Sequence, residues 1–326
     1  MKPRFIVSLD FEQGWGMEAA KAYGRQRGSI IGARKAVPAI LELAERHCVR
    51  CTWATVGLLF FSNRDELLNA LPDIRPRYAD PALSPYERLS QLGRGEKDDC
   101  LHFARSLVEL IRDCPGQELA GHTFSHYYCL EDGNDPAAFE ADLAASRRAA
   151  AAIGVELRSI VFPRNQLRQS YLPLCRAAGY RSFRGNPPSS LHRARARHEE
   201  KPWTRLLRGV DSFLPLTGPA RPNHPRPEGG MIDISASRFL RPVTARSAVL
   251  NRLHLRRVKR EMTVAARQNE IFHLWWHPQN FGRDTDSNLR MLSTIFDHYR
   301  RLAGEYGMAS ATMDELAEEA GASGSF

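Results

Sequence analysis

The chain has no long apolar run: nothing in its 326 residues approaches the roughly 18 consecutive apolar positions of a membrane span, which argues against a transmembrane anchor. The opening MKPRFIVSLDFEQGWG places about five apolar residues after its basic ones, short of the roughly 7 to 15 of a signal-peptide core. The expectation is a cytoplasmic protein, with peripheral contact to the inner membrane as a further expectation. Cysteine is sparse: Cys48, Cys51, Cys100, Cys114, Cys129 and Cys175 are scattered, which excludes the disulfide framework of a small secreted domain. Cys48 and Cys51, in CVRC, have no second pair for zinc and no thioredoxin-like setting, so they read as packing thiols. No internal repeat is present, which excludes solenoids and propellers. Acidic residues are scarce in one stretch. Residues 181–260 hold 18 basic and 5 acidic side chains, a net of +13 within a chain of net +9, so the remainder is net −4.

A hydrophobic fraction of 43% and a charged fraction of 25% describe a globular protein. Short apolar runs alternate with helical patterns. Phe5–Leu9 reads as a buried strand, residues 35–47 as a helix and CTWATVGLLF as a second strand, a βαβ opening that favours a parallel sheet. Further strands are expected at QELAGH, LRSIVFP, YRSFRG, MIDISAS and EIFHLWWHP. Helices are expected at LHFARSLVELIRD, from Asp135 to Gly154, at SYLPLCRAAGY, and over two stretches near the C-terminal end. Residues 185–230, rich in Pro and Arg with little periodicity, read as an irregular basic insertion within a single α/β barrel-like domain spanning 1–326.

Three motifs carry candidate chemistry. Asp10 and Glu12 close the first strand, two apart and so on one face, where barrels and open α/β sheets place catalytic groups. In GHTFSHYY, His122 and His126 stand four apart, the spacing that sets two imidazoles on one helical face for a divalent metal. EIFHLWWHP alternates so that Ile271, His273, Trp275 and His277 share a face, with His277 at the strand end and His273 deeper, where a core or supporting histidine is expected. Arg164, just past the VFP strand, is placed to pair with a carboxylate.

Taken in order, SLDFE, ELAGHTFSH, FPRNQ and the strand-end His277 resemble the signature blocks of polysaccharide deacetylases of the NodB-homology, carbohydrate esterase 4 type. The first block here is a D-x-E variant, with Phe11 between Asp10 and Glu12, where familiar members have adjacent aspartates. The resemblance covers roughly residues 4–184 and 231–315. It implies an α/β fold, a distorted (β/α) barrel of about seven strands, and metal-dependent removal of an N-acetyl group from an amino sugar. It further implies that Glu12, His122 and His126 bind one divalent ion, zinc by preference. Asp10, oriented by Arg164, would be the base and His277 the acid, and a backbone amide near Asn165 would face the oxyanion.

The substrate implied is an N-acetylated sugar of a bacterial surface-glycan or exopolysaccharide precursor, and the basic segment favours a phosphate- or lipid-linked one. Two alternatives stand beside it. The same fold hosts hydrolases of C–N bonds in small ureides and imides. The run from Arg241 to Arg260, with seven basic residues and no acidic one, would suit a membrane-surface binding module. Nucleic acid is not an expected partner, since no recognition motif accompanies the charge.

Overall fold

The structure, a computed structural model, describes residues 2–16, 23–187, 189, 191–213, 223–245 and 247–322. Its first half runs β1 (Arg4–Phe11), α1 (Tyr23–Arg46), β2 (Cys51–Thr55), α2 (Arg64–Asn69), α3 (Arg105–Asp113), β3 (Gln117–Gly121), α4 (Pro136–Ala151), β4 (Ser159–Ile160), α5 (Leu172–Ala177) and β5 (Ser182–Phe183). The second half runs α6 (Pro202–Asp211), β6 (Arg226–Glu228), β7 (Met231–Asp233), β8 (Arg238–Phe239), α7 (Ala248–Gln268), β9 (Ile271–Trp276), α8 (Thr285–Tyr306), β10 (Ala309–Ala311) and α9 (Met313–Ala322).

The strands form one curled sheet in the order β6-β7-β5-β4-β3-β2-β1-β9-β8, with β10 beside β1. Among the described strands, only the β6–β7 pairing is antiparallel. Residues 231–240 draw the two ends of the sheet together. The amides of Ile234 and Ala236 donate to Phe183 and Gly185 beside β5, and those of Ser237 and Leu240 donate to His273 and Trp275 of β9. The result is the distorted (β/α) barrel that the alternating pattern predicts.

Strand β1 is buried on both faces, which explains its nearly unbroken apolar sequence. Its odd positions, Phe5, Val7, Leu9 and Phe11, pack in the main core with helical residues such as Val37 and Ile40 of α1. Its even positions read from floor to mouth. Ile6 joins Ala54, Val161, Ile234 and Ile271 in an apolar layer that Met313 and Leu316 of α9 close. Ser8 and Asp10 follow, and Glu12 lies just past the strand. The period-2 rule thus turns one strand into a graded wall, apolar below and ionic above.

Helix α1 begins at Tyr23, about a turn and a half before the GSIIGARK stretch and well before the residue-35 start that the apolar spacing predicts. Glycines at 24, 28 and 32 weaken the local helix signal, and tertiary contact overrides them. A Cβ on Gly32 would lie 2.0 Å from the Gly282 carbonyl oxygen, so this glycine allows α1 to cross the 278–282 turn at backbone contact. Strand β2 also stops early, at Thr55. Residues 57–60 turn into a 3₁₀ segment whose Gly57 and Leu58 amides donate to the carbonyls of Thr123 and Phe124, beneath the loop that carries both site histidines.

The expected irregular insertion holds more structure than its composition signals. It contains a 3₁₀ turn at Arg197–Glu199, the ten-residue helix α6 and strand β6. Pro202 starts α6 at a position where its missing N–H costs nothing. All six cysteines are free thiols, with Cys51, Cys129 and Cys175 buried and Cys48 exposed. Among the described residues, no helix is long and apolar enough to cross a membrane.

The barrel floor holds an acid whose protonation is linked to folding. Glu118 of β3 accepts hydrogen bonds through Oε2 from the Thr52 hydroxyl (2.7 Å) and from the Asp314 amide of α9 (3.2 Å). Burial pushes its carboxyl up to about 7, against the pull of hydrogen bonds from Ser159, Thr52 and the Asp314 amide. An acid whose folded value lies above its unfolded one binds more protons when folded, so its contribution is full below about pH 4.5 and declines as pH rises through about 7. Glu118→Gln keeps the acceptor and removes the charge. The expected result is a variant more stable than the parent at pH 8, by roughly 1 to 3 kcal/mol, with the advantage vanishing near pH 4.5. Thermal unfolding across that range measures it, and a variant less stable at pH 8 would contradict the assignment.

Candidate active site

The mouth of the barrel gathers residues that lie far apart in the chain. Glu12, 6% exposed, follows β1, and its Oε1 lies 3.1 Å from Nε2 of His122 and 3.1 Å from Nε2 of His126. Both histidines are buried. They come from a loop after β3 and not from the single helical face that their spacing predicts. Thr123 and His126 adopt left-handed backbone, with φ of 60° and 58°, and this folds the loop back so that both imidazoles meet one carboxylate. The strain is held by hydrogen bonds. Asp142 of α4, fully buried, accepts from the amides of Phe124 (2.5 Å) and Ser125 (3.1 Å) and from the Ser125 hydroxyl. Thr123 Oγ1 accepts from the Tyr127 amide at 2.7 Å. Gly16 closes over His126: its φ is +80°, and a Cβ there would come within 2.4 Å of the imidazole.

The donor set fits a divalent metal, and the tautomers say why. His122 Nδ1 lies 2.8 Å from the Val161 carbonyl, so in neutral His122 this nitrogen carries the proton and Nε2 presents a lone pair. That lone pair faces a carboxylate oxygen at 3.1 Å, an arrangement that repels unless a proton or a metal cation lies between. Two imidazole nitrogens and one carboxylate are a borderline set suited to zinc. Glu12, His122 and His126 have candidate donor atoms within 4.8 Å of one another, as do Asp10, Glu12 and His277.

Asp10 sits beside this cluster and is gripped by an arginine. That arginine is Arg184, just past β5, and not Arg164 as the block order implied. Arg184 Nη1 and Nη2 donate to Asp10 Oδ1 and Oδ2 at 2.6 and 2.8 Å, and its guanidinium stacks 4.2 Å from the Trp275 ring. Arg164 turns away in a left-handed turn, with φ of 53°. It lies 3.8 Å from the carboxylate of Glu131 and 5.8 Å from the Tyr128 ring. The reason is local: Pro163 starts the turn and Arg164 and Asn165 both take positive φ, which swings the Arg164 side chain past the mouth. Asn165 stays engaged through Oδ1, which accepts from Arg184 Nη2 at 2.8 Å. Its own amide donates to Phe162 O at 2.8 Å.

Behind Arg184 runs a chain of hydrogen bonds. Arg184 Nη1 donates to Ser8 Oγ at 3.0 Å, Ser8 lies 2.8 Å from His273 Nε2, and His273 Nδ1 lies 3.0 Å from the Ile234 carbonyl. Burial and then the Arg184 charge push His273 down to about 3, so it is neutral and receives the Ser8 proton. The deeper histidine is thus a supporting group, as its place on β9 predicted. Sequence reasoning missed Arg184. Its signal was weak but present: YRSFRG is a strand with a basic residue at its mouth end.

His277 starts the turn after β9, with Nε2 at 3.5 Å from Glu12 Oε1 and 3.8 Å from Asp10 Oδ2. Burial would lower its basicity, but the charge and hydrogen bond of Glu12 and the charge of Asp10 outweigh it and raise the value above that of free histidine. For Asp10, burial acts upward, and the charge and hydrogen bonds of Arg184, with His277, bring the carboxyl below its usual range. Gln279, in the same turn as His277, donates to Glu12 Oε2 at 3.3 Å. The arrangement therefore offers a cation-binding cluster, an ionised carboxylate fixed by a guanidinium, and a protonatable imidazole, all at one barrel mouth.

Comparison with solved structures places this architecture. A protein assigned as a polysaccharide deacetylase from Mycobacterium smegmatis matches over 99% of this chain and 92% of its own, with a TM-score of 0.60 and 13% identity. Another, from Pseudomonas aeruginosa PAO1, matches over 97% and 89%, with a TM-score of 0.55 and 10% identity. The fold is that of the NodB-type polysaccharide deacetylases. Puue allantoinase also matches, over 99% of this chain and 91% of its own, with a TM-score of 0.56 and 10% identity. No protein-family model matches the chain, and no curated protein matches it in sequence.

Proposed function

We propose that the protein is a metal-dependent N-deacetylase of amino sugars, acting as one NodB-type catalytic domain with residues 185–230 as its insertion. The observation that carries the reading is the buried meeting of Glu12, His122 and His126 beside the Asp10–Arg184 pair and His277. A divalent ion held by Glu12, His122 and His126, zinc by preference, would polarise the amide carbonyl and acidify a water. Asp10 takes the proton of the attacking water, since Arg184 keeps it ionised and fixes both of its oxygens. His277 carries a proton to the departing amine nitrogen, which must be protonated to leave. Trp275, under Arg184, and the bonded pair Ser8–His273 hold the base in one orientation.

The substrate in this reading is an N-acetylated sugar of a bacterial surface-glycan precursor, met on a cytoplasmic carrier that bears phosphate or lipid at the inner membrane. Acetate release from a panel of N-acetyl amino sugars tests it, with chelator and with zinc restored. Turnover that stops with chelator and returns with zinc is expected. The likeness to an allantoinase supports a second reading, a small-molecule C–N hydrolase. Hydrolysis of a cyclic ureide with no acetate from any sugar would select that reading.

A further inference from the structure

A cavity of about 410 Å³ adjoins the candidate active site and shares His277, Asn165 and Trp275 with it. Its lining also includes Arg164, Arg193, Arg195, Arg208, Arg238 and Arg241, against one acid, Glu200. Some of these cations are already paired. Arg238 binds Glu261 through two bonds, at 2.6 and 2.8 Å, and lies 3.3 Å from Asp211, while Arg208 reaches Glu200 at 3.1 Å.

Arg241 is different. It makes no ion pair among the described residues, its Nε is buried without a hydrogen-bond partner, and its guanidinium lies 5.6 Å from the Phe213 ring, above Gly209 of α6. The sequence that follows Phe213, residues 214–222, contains no acid to neutralise it. Arg193, on the cavity's exposed rim, likewise has no ion pair among the described residues. A half-buried guanidinium without a counter-ion is costly, and its forked donors match the oxygens of a phosphate or carboxylate. The cavity therefore holds a cationic surplus, partly desolvated, beside His277.

We propose that this cavity is a subsite for an oxyanion on the substrate, a phosphate or carboxylate, with Arg241 as the anchoring cation and Arg193 at the entrance. The inference rests on the deacetylase reading only for placing the acyl group at Asp10 and His277. It identifies the substrate class as an acidic amino sugar, whether the acid is a carrier phosphate or a carboxylate on the sugar itself.

Calorimetric titration of the metal-loaded protein tests it without turnover. The probes are N-acetylglucosamine, its 1-phosphate, the corresponding uronic acid and inorganic phosphate, each at about 50 mM and about 500 mM salt. One or both acidic sugars should bind about tenfold tighter than the neutral one at low salt, a gain of about 1.4 kcal/mol, and high salt should erase most of it. The arm that gains tells phosphate from carboxylate. Arg241→Gln should reduce the gain to less than about twofold with neutral-sugar affinity retained, and Arg193→Gln should reduce it by less. If Arg241→Gln fails to fold, Arg193→Gln and the salt dependence of the unaltered protein still decide. Equal affinity for neutral and acidic sugars, no binding of any acidic probe, or an equal loss for both kinds of sugar in Arg241→Gln would overturn the proposal. Failure of the deacetylase reading would look different: acidic sugars would bind tightly and release no acetate.

Discussion

Replacing Asp10 by Asn lowers kcat/KM by about 10²- to 10⁴-fold, the range for loss of a positioned general base, and leaves the metal bound. The separation follows from the geometry. Asp10 has both oxygens committed to Arg184, at 2.6 and 2.8 Å, whereas Glu12 alone lies 3.1 Å from both imidazoles. Asparagine keeps the size and one acceptor but takes up no proton at neutral pH. Parallel measurement of turnover and metal content checks it. A variant that loses the metal and keeps activity when metal is supplied in excess would exchange the roles of Asp10 and Glu12.

Replacing Arg184 by Gln should lower kcat/KM on a neutral N-acetyl sugar by about 100-fold or more, because the base loses its orienting charge. It should also destabilise the fold by about 3 to 5 kcal/mol, the usual cost of leaving one member of a buried pair alone. Arg184 is 2% exposed and Asp10 is 3% exposed, so water cannot replace the missing partner. Arg164→Gln should have the smaller effect, within about tenfold, since it removes a 3.8 Å contact to Glu131 and a 5.8 Å approach to the Tyr128 ring, neither of which touches Asp10. Arg184→Lys distinguishes orientation from charge: it restores stability in part, but a single ammonium cannot reproduce the two-pronged grip, so kcat remains low while KM recovers. An Arg164→Gln variant as impaired as Arg184→Gln would return the orienting role to Arg164.

What the sequence revealed depended on how local the determining physics was. Strand alternation is local, so β1 and β9 were legible with their faces, and with them Asp10, Glu12, His273 and His277. The two histidines were legible as a pair, but not their backbone. Spacing alone favours a helix, whereas Asp142, sixteen residues beyond His126, holds a left-handed loop through three donors. The start of α1 was hidden because glycines that weaken an isolated helix here permit a close crossing with the 278–282 turn. Arg184 was hidden because its role depends on closure of the barrel, which brings the end of β5 to the end of β1 across 174 positions of sequence. Arg164 stood in the expected block, but two consecutive residues at positive φ turned it toward Glu131.

Elemental analysis of the full chain, purified without chelator, tests the central claim most directly, with His126→Ala prepared beside it. About one zinc per chain is expected in the parent and almost none in the variant, since a site of one carboxylate and two imidazoles loses one of its three protein ligands. A parent that holds no stoichiometric divalent metal even after incubation with zinc, or a His126→Ala variant that holds as much as the parent, would contradict it.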